Sequence, residues 1–380
     1  MRLISREYKP GDELSINKLY KLITNIDRSL PEYEWEWINT WNGQGSIWLL
    51  FDEDRDKNDQ LVAQYSLIPT PFSIWGKSYL AGKTENCMSH PDYRGKGIYS
   101  SHEKKYFKEA QKRFQLFFTT AGNVAKGATG AIRRKLGYLA FDSWVHYIYC
   151  TDSGVLQKMI YSKLENKLGS ILGLTKLSST IISKISFMYF YMFSPKKATQ
   201  SIKLLNEKHS PLKEIETLWD NNKIFYGISV DRTSRYIDWR INKNPYFDHQ
   251  YLLCNKDGEL VGYIIFYKHN NMLSIIDILA ANRNRSIFKD LIDNLIIYAK
   301  TEKVQAIECS TLKGNKLLGQ VFRSSGFINY NIFPFRKISI RSHRQKPFHV
   351  FVSTHILASK EALVPKNWYI TDLVKEGRPR

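Results

Sequence analysis

HPDYRGKGIY, residues 90–99, sets two glycines around a lysine, directly after an arginine and directly before a helical pattern. One use of such a stretch is a tight turn between a strand and a helix. The other is a backbone cradle for a phosphate-bearing ligand. The first N–H groups of a helix have no intrahelical partner and carry partial positive charge, so an anion placed there satisfies them. Gly95 and Gly97 let the backbone approach without a Cβ in the way. Arg94 and Lys96 add charge at the same spot. An RGxG alone is a weak signal; its place after a strand and before an amphipathic helix strengthens it.

Working outward, strand and helix signals alternate through the first 150 residues. LISRE (3–7), SIWLLF (46–51), LVAQYSLI (61–68), YLAGKTENCMS (79–89) and LFFTT (116–120) read as strands. Leu14, Leu19, Leu22, Ile23 and Ile26 recur at helical spacing, and 98–113 and 123–137 carry helix formers. The second half repeats this order. RYIDWRINKN (235–244) parallels EYEWEWINTW (32–41), and a strand pair, a strand, a helix, a strand and a helix ending near Gly326 follow. On spacing, Trp37, Val62 and Gly137 correspond to Trp239, Val261 and Gly326. A duplicated α/β unit is expected, with domains at 1–150 and 211–380 and a connector at 151–210.

The chain has 380 residues, enough for two cores, and 43% are hydrophobic, which argues against long disorder. Its net formal charge of +20 favours an anionic partner: a nucleotide cofactor, nucleic acid, a phosphorylated sugar or an anionic membrane. Cys87, Cys150, Cys254 and Cys309 lie far apart with no CxxC spacing, so neither a disulfide framework nor a metal site is expected, and a reducing cytoplasm fits. The first fifteen residues are polar and charged, unlike a secretory signal. No stretch is apolar enough to span a bilayer. The connector is lysine-rich, with dense apolar residues from Ile171 to Phe193. It reads either as a helix packed across both domains or as a basic amphipathic helix (168–195) lying on an anionic membrane, at the inner membrane face.

HPDYRGKGIY resembles the pyrophosphate-binding motif of the GNAT superfamily of acyl-CoA-dependent N-acyltransferases, written R/Q-x-x-G-x-G/A. Arg94, Gly97 and Tyr99 match it, with Gly95 and Lys96 in the RGKG form. Asn123 matches an asparagine after the family's fifth strand, and Gly137-Tyr138 its Gly-aromatic pair. The resemblance covers 1–150 well and 215–345 more loosely. It implies two GNAT-like α/β domains, each a mixed, mostly antiparallel sheet flanked by helices, with splayed parallel strands at the cofactor site. It also implies acetyl-CoA or another acyl-CoA as co-substrate, with no metal. The pantetheine would run between strands at 81–89 and 116–120. Cys87, Met88 and Ser89 would offer main-chain groups to it, Arg94, Gly95, Lys96, Gly97, Ile98 and Tyr99 would hold the pyrophosphate, and Asn123 would bond the pantetheine arm. The wording SHPDYRGKGIY together with RYIDWR is similar to bacterial acetyltransferases found with surface-polysaccharide genes, which implies an amino-sugar acceptor.

An attacking amine must be neutral, so a base beside it is useful. Glu85 on the fourth strand is the first candidate; the alternative is a surface carboxylate paired with Lys83. His90 is a second candidate base, against a structural hydrogen bond before Pro91. Where many family members carry a thiolate-protonating tyrosine, this chain has Arg133, which leaves the acid role to Tyr138 or Tyr99, or to positive charge near the thiolate. The second copy has ANRNRS (281–286) in place of the glycine loop, so its role is acceptor binding or structure. Trp239 and Arg240 are candidates for the acceptor site, or core. Two other functions fit the basic composition: a tRNA-dependent aminoacyl transferase of tandem GNAT-like fold, and a nucleic-acid-binding module. The intact glycine loop speaks against the first, and the strand-patterned aromatics against the second.

Overall fold

The computed structural model describes residues 1–120, 128–154, 172–195, 202–206, 210–329, 347–352 and 360–378, with single residues 157, 161 and 197. The first repeat runs β1 (Leu3–Glu7), α1 (Glu13–Thr24), α2 (Leu30–Tyr33), β2 (Ser46–Asp52), β3 (Leu61–Ile74), β4 (Lys77–Thr84), β5 (Met88–Ser89), α3 (Ile98–Ala110), β6 (Leu116–Thr119), α4 (Ala128–Lys135) and β7 (Leu139–Cys150). After α5 (Leu172–Met192), the second repeat runs β8 (Ile202–Asn206), α6 (Leu212–Asn222), β9 (Ile228–Val230), α7 (Ser234–Ile237), β10 (His249–Lys256), β11 (Glu259–His269), β12 (Met272–Ala280), α8 (Arg285–Thr301), β13 (Ala306–Leu312), α9 (Lys316–Ser324) and β14 (Ile328–Asn329). Then come β15 (Pro347–Val352) and β16 (Trp368–Tyr369). β8 lies before the expected boundary at 210 and pairs with β10, so the second repeat's sheet begins inside the expected connector.

All described strands join one sheet, ordered β1-β2-β3-β4-β6-β15-β7-β13-β12-β11-β10-β8. Each half is antiparallel except where β4 pairs with β6, β12 with β13 and the short β9 with β16, all parallel. The halves exchange strands. β15, from the second repeat, lies between β6 and the start of β7, while the end of β7 lies between β13 and β14. The core therefore runs through both repeats without a gap.

A second seam ties the halves. Ser29 caps α2 and Thr233 caps α7, and each four-residue helix runs on into a π-helical turn, Glu34–Ile38 and Asp238–Asn242. Trp35 and Trp239 are each the second residue of their turn. Their rings stack with centroids 5.4 Å apart, and each indole N–H donates to the other's backbone carbonyl at 2.9 Å. The structural partner of Trp239 is thus Trp35 and not Trp37; pairing Trp37 with Trp239 misaligned the copies by two residues. Trp37 is fully buried. Deleting the Trp239 ring removes a buried aromatic pair and both hydrogen bonds. Trp239→Ala is expected to lower stability by about 3–5 kcal/mol in denaturant unfolding; an unchanged midpoint would dismiss the seam.

Candidate functional site

β4 pairs with β6 only from Ala81–Leu116 to Lys83–Phe118. The chain then bulges at Glu85–Cys87, where Asn86 takes a left-handed φ of 46°. The sequence reading had one strand through 79–89; the bulge breaks it in two. Glu85 N–H donates to Ser66 O at 3.2 Å and His90 N–H to Val62 O at 2.8 Å, while Ser66 Oγ donates to the Glu85 carbonyl at 2.7 Å. These bonds keep β5 on β3, where Met88 faces Gln64 and Ser89 faces Ala63. β6 meanwhile continues beside β15. The parallel strands thus part, and the outer edge of β5 pairs with no described strand. At the bulge, Ser89 Oγ and Asn86 Nδ2 are buried without a hydrogen-bond partner among the described residues.

Beyond β5, His90 accepts the Asp92 N–H on Nδ1 at 3.3 Å, which gives it the structural role of shaping the turn. Gly95 and Gly97 have φ of 76° and 74°, a region other residues enter at a cost, and Gly97 directly precedes α3. No side chain caps α3. A Cβ at either glycine would meet nothing within 4 Å, so the space above the loop is free of described protein atoms. Arg94 and Lys96 flank it, exposed. Ile98 and Tyr99 form the first turn of α3.

The second copy resolves the same geometry differently. β12 and β13 pair only from Met272–Ala306 to Ser274–Glu308 before parting. The chain's own residues 369–372 lie between them. Thr311 Oγ1 donates to Ile370 O at 2.6 Å, Thr371 Oγ1 to Asp277 Oδ1 at 2.7 Å and Tyr369 Oη to Ile278 O at 2.5 Å, and Ser310 bonds Asp372. Asn282 and Arg283 hold positive φ in place of glycines, and the Asn284 side chain accepts the Ser286 and Ile287 N–H groups at 2.9 and 3.4 Å. Helix α8 is therefore capped from within, where α3 is not.

Two groups of charge flank the first cleft. Arg133 is buried, ion-paired with Glu103, and faces Cys87, Tyr99, Tyr138 and Tyr65. Its pKa is raised: burial works against the charge, and these neighbours outweigh it. Tyr138 Oη lies 3.1 Å from Thr84 Oγ1, with its pKa pushed up to about 12, chiefly by burial. Tyr99 is driven up further by burial, so both phenols keep their protons at neutral pH. Cys87 is half-buried, its thiol 3.6 Å from Glu85 O.

On the other side, Glu85 sits 3.1 Å from Lys83 Nζ and 3.1 Å from Arg378 Nη2. Burial raises its pKa above the usual 4.5; Lys83 and Arg378 oppose that, and Glu376 and Glu36 reinforce it. Arg378 also reaches Glu36 at 2.9 Å, and Arg28 holds the other Glu36 oxygen at 2.8 Å. Glu36, Arg28 and the 375–378 segment escaped the sequence reading. The available signal was EWEWI, where a charge alternates with tryptophans on one helical turn and one glutamate must point inward.

Trp239 and Arg240 are buried at the seam between the halves, so neither meets an acceptor in the open. Arg240 Nη2 donates to Lys375 O at 2.9 Å, and a Cβ on Gly377 would collide with the Arg240 guanidinium. Asn123 lies outside the described residues. Among the described residues no group of three or more His, Cys, Asp or Glu is placed to hold a metal ion.

Comparison with known proteins bears on the family and the fold. Residues 6–139 match the model of a GNAT acetyltransferase domain, and residues 214–327 match that of the GNAT acetyltransferase family. The chain thus carries two GNAT acetyltransferase domains in tandem. No curated protein matches it at a significant level. Its fold is similar to a probable N-acyltransferase from Enterococcus faecalis, at 12% identity and a TM-score of 0.62, covering 93% of this chain and 73% of that one. It is also similar to a GCN5-related N-acetyltransferase from Anabaena variabilis (11%, TM-score 0.57, 92% and 73%). A third is the Saccharomyces cerevisiae N-myristoyltransferase with bound myristoyl-CoA (11%, TM-score 0.51, 92% and 82%).

Because no protein atom crowds Gly97, Gly97→Glu is expected to fold with a penalty of about 1–2 kcal/mol for the left-handed φ. Its carboxylate would stand in the anion's place, so acetyl-CoA affinity by isothermal titration should fall at least roughly tenfold. Equal affinity in the two proteins would remove the loop from the binding site.

Proposed function

We propose that this chain is an acyl-CoA-dependent N-acyltransferase whose first domain takes the acyl donor and passes its acyl group directly to a primary amine. The observation that carries this reading is the asymmetry of the two copies: α3 begins without a side-chain cap beside a cleft where the outer edge of β5 pairs with no described strand, whereas α8 is capped by Asn284 and its cleft holds residues 369–372. Arg94, Gly95, Lys96, Gly97, Ile98 and Tyr99 would hold the pyrophosphate, and Cys87, Met88 and Ser89 the pantetheine and thioester carbonyl, with Asn123 on the pantetheine arm. When bound, acyl-CoA supplies the activated thioester. Glu85 takes the amine proton, directly or through water, and Tyr138 acts as proton donor, with Arg133 supplying positive charge. Trp239 and Arg240 act on the acceptor side through the seam and the segment they hold. The acceptor class we favour is an amino sugar.

Glu85 must be ionised to accept a proton, and its pKa lies above 4.5, so kcat/KM should decline as pH falls through a value higher than an ordinary glutamate's. Glu85→Gln should lower kcat by about 10²- to 10⁴-fold and abolish that acidic limb, with acetyl-CoA affinity retained. A retained limb would exclude Glu85 as the base. A panel of glucosamine-type and aliphatic amines reads the acceptor class. Failure of any acyl-CoA to bind, with salt-sensitive tRNA binding instead, would favour an aminoacyl transferase.

The same enzyme fits an anionic membrane surface through α5. No described helix is long and apolar enough to cross a membrane. On α5, Ser179, Ser183 and Phe190 face inward, and the Tyr149 hydroxyl donates to Phe190 O at 2.9 Å. Leu177, Ile181, Met188, Tyr191 and Met192 form an exposed stripe on the opposite side, with Tyr191 75% and Met192 73% exposed and Lys184 in line. Residues 153–206 contain eight lysines and a single acidic residue, Glu165. An apolar face among lysines is suited to lying in the headgroup layer of anionic lipid. Flotation should show binding to phosphatidylserine vesicles, weak binding to phosphatidylcholine, and loss of both in Ile181→Asp/Met188→Asp. Unchanged flotation of the double variant would sink this placement.

A further inference from the structure

Residues 368–378 are fixed along their length. Trp368 and Tyr369 pair with Ile228 and Ser229, residues 369–372 lie in the second cleft, and the Tyr236 hydroxyl donates to Leu373 O at 3.3 Å. Arg240 then takes Lys375 O, and Asn244 Nδ2 donates to Gly377 O at 2.8 Å. Gly377 has φ of 78° and passes so close to the Arg240 guanidinium that a side chain there would collide with it. Arg378 follows at once. Its two terminal nitrogens reach Glu36 Oε1, Glu85 Oε1 and Asn86 Oδ1 at 2.9, 3.1 and 3.1 Å. One guanidinium thus bridges two carboxylates and the left-handed residue of the bulge.

We propose that Arg378 is the positioning residue of the acyl-transfer site: delivered by a segment anchored in the second domain, it fixes the Glu85 carboxylate at the bulge and keeps it ionised. This rests on Glu85 serving as the base. Glu85 is faced by Lys83 from β4, by Glu36 from the first π-helical turn with Arg28 behind it, and by Glu376 and Arg378 from the segment itself. Without Arg378, the three carboxylates remain near one another, Lys83 still paired with Glu85 and Arg28 with Glu36. Two like charges drive a buried carboxyl towards its protonated form, and an adjacent arginine opposes that by roughly one to three pH units. The same arginine holds Asn86, so it also fixes where the bulge points the Glu85 side chain. The second domain then contributes to catalysis without a cofactor of its own, because its cleft anchors the segment that ends on Glu85.

The test titrates Glu85 in the full chain by carboxyl ¹³C chemical shifts of labelled glutamate, with Glu85→Gln assigning the resonance. Arg378→Gln should raise the Glu85 midpoint by about one pH unit or more, and Arg378→Lys should restore most of it. In parallel, the acidic limb of kcat/KM should move upward by the same amount while acetyl-CoA affinity stays at the wild-type value. A midpoint and limb that stay in place in a folded Arg378→Gln protein would overturn the proposal, even if thermal stability falls. A midpoint that moves in a protein transferring no acyl group from any acyl-CoA would uphold the hold of Arg378 on Glu85 and overturn the function proposed above.

Discussion

When two parallel strands part within a sheet, each leaves a row of N–H and C=O groups facing the gap. Buried, those groups require partners. This requirement organises both halves of the molecule. In the second half the chain places its own residues 369–372 in the gap, bonded to the Ile278 carbonyl and Asp277 side chain of β12 on one side and to the Thr311 side chain of β13 on the other. In the first half the Glu85–Cys87 bulge turns the edge of β5 away from β6, and no described strand takes its place. The gap that the first half leaves without a described strand is, in the second, filled by the chain itself.

The helix starts follow the same division. Asn284 accepts two of the N–H groups that open α8, so an anion arriving there would have to displace a bond already made. At α3 the preceding residue is Gly97, which has no side chain to offer and holds a left-handed φ. The charges run in parallel. Position three of each π-helical turn is Glu36 in one half and Arg240 in the other, both buried, and the 375–378 segment meets both: its carbonyl at Arg240, its arginine at Glu36. The pseudo-symmetric scaffold thereby becomes polar, with one end that accepts a carbonyl and one that accepts a cation.

Much of this was legible from local sequence. Gly95 and Gly97 announce their left-handed φ because other residues avoid it, and the duplicated order of strands and helices follows from spacing alone. What stayed hidden is non-local. Nothing in PFHVFV says that it lies beside LFFT, or that β7 leaves its own repeat for the other, because apolar strands are interchangeable as text. The Trp35–Trp239 partnership was hidden by a nearby Ile-Asn echo, and only the helix caps at Ser29 and Thr233 set the true register. Arg378 stands in a run of charged and turn-forming residues that gives no sign of burial; its partners are Glu36 and Glu85, far away along the chain.

The strand exchange also carries a consequence for how the molecule comes into being. β6 meets β15 across more than two hundred residues of intervening chain, so the sheet that bears the glycine loop cannot close while the ribosome is still making the second repeat. Contacts of such long sequence separation slow folding and leave apolar edges waiting. The first repeat emerges early but stays unfinished, with one flank of β6 uncovered until Pro347–Val352 arrives. Joining of the two halves through this strand therefore waits until Pro347–Val352 has been made.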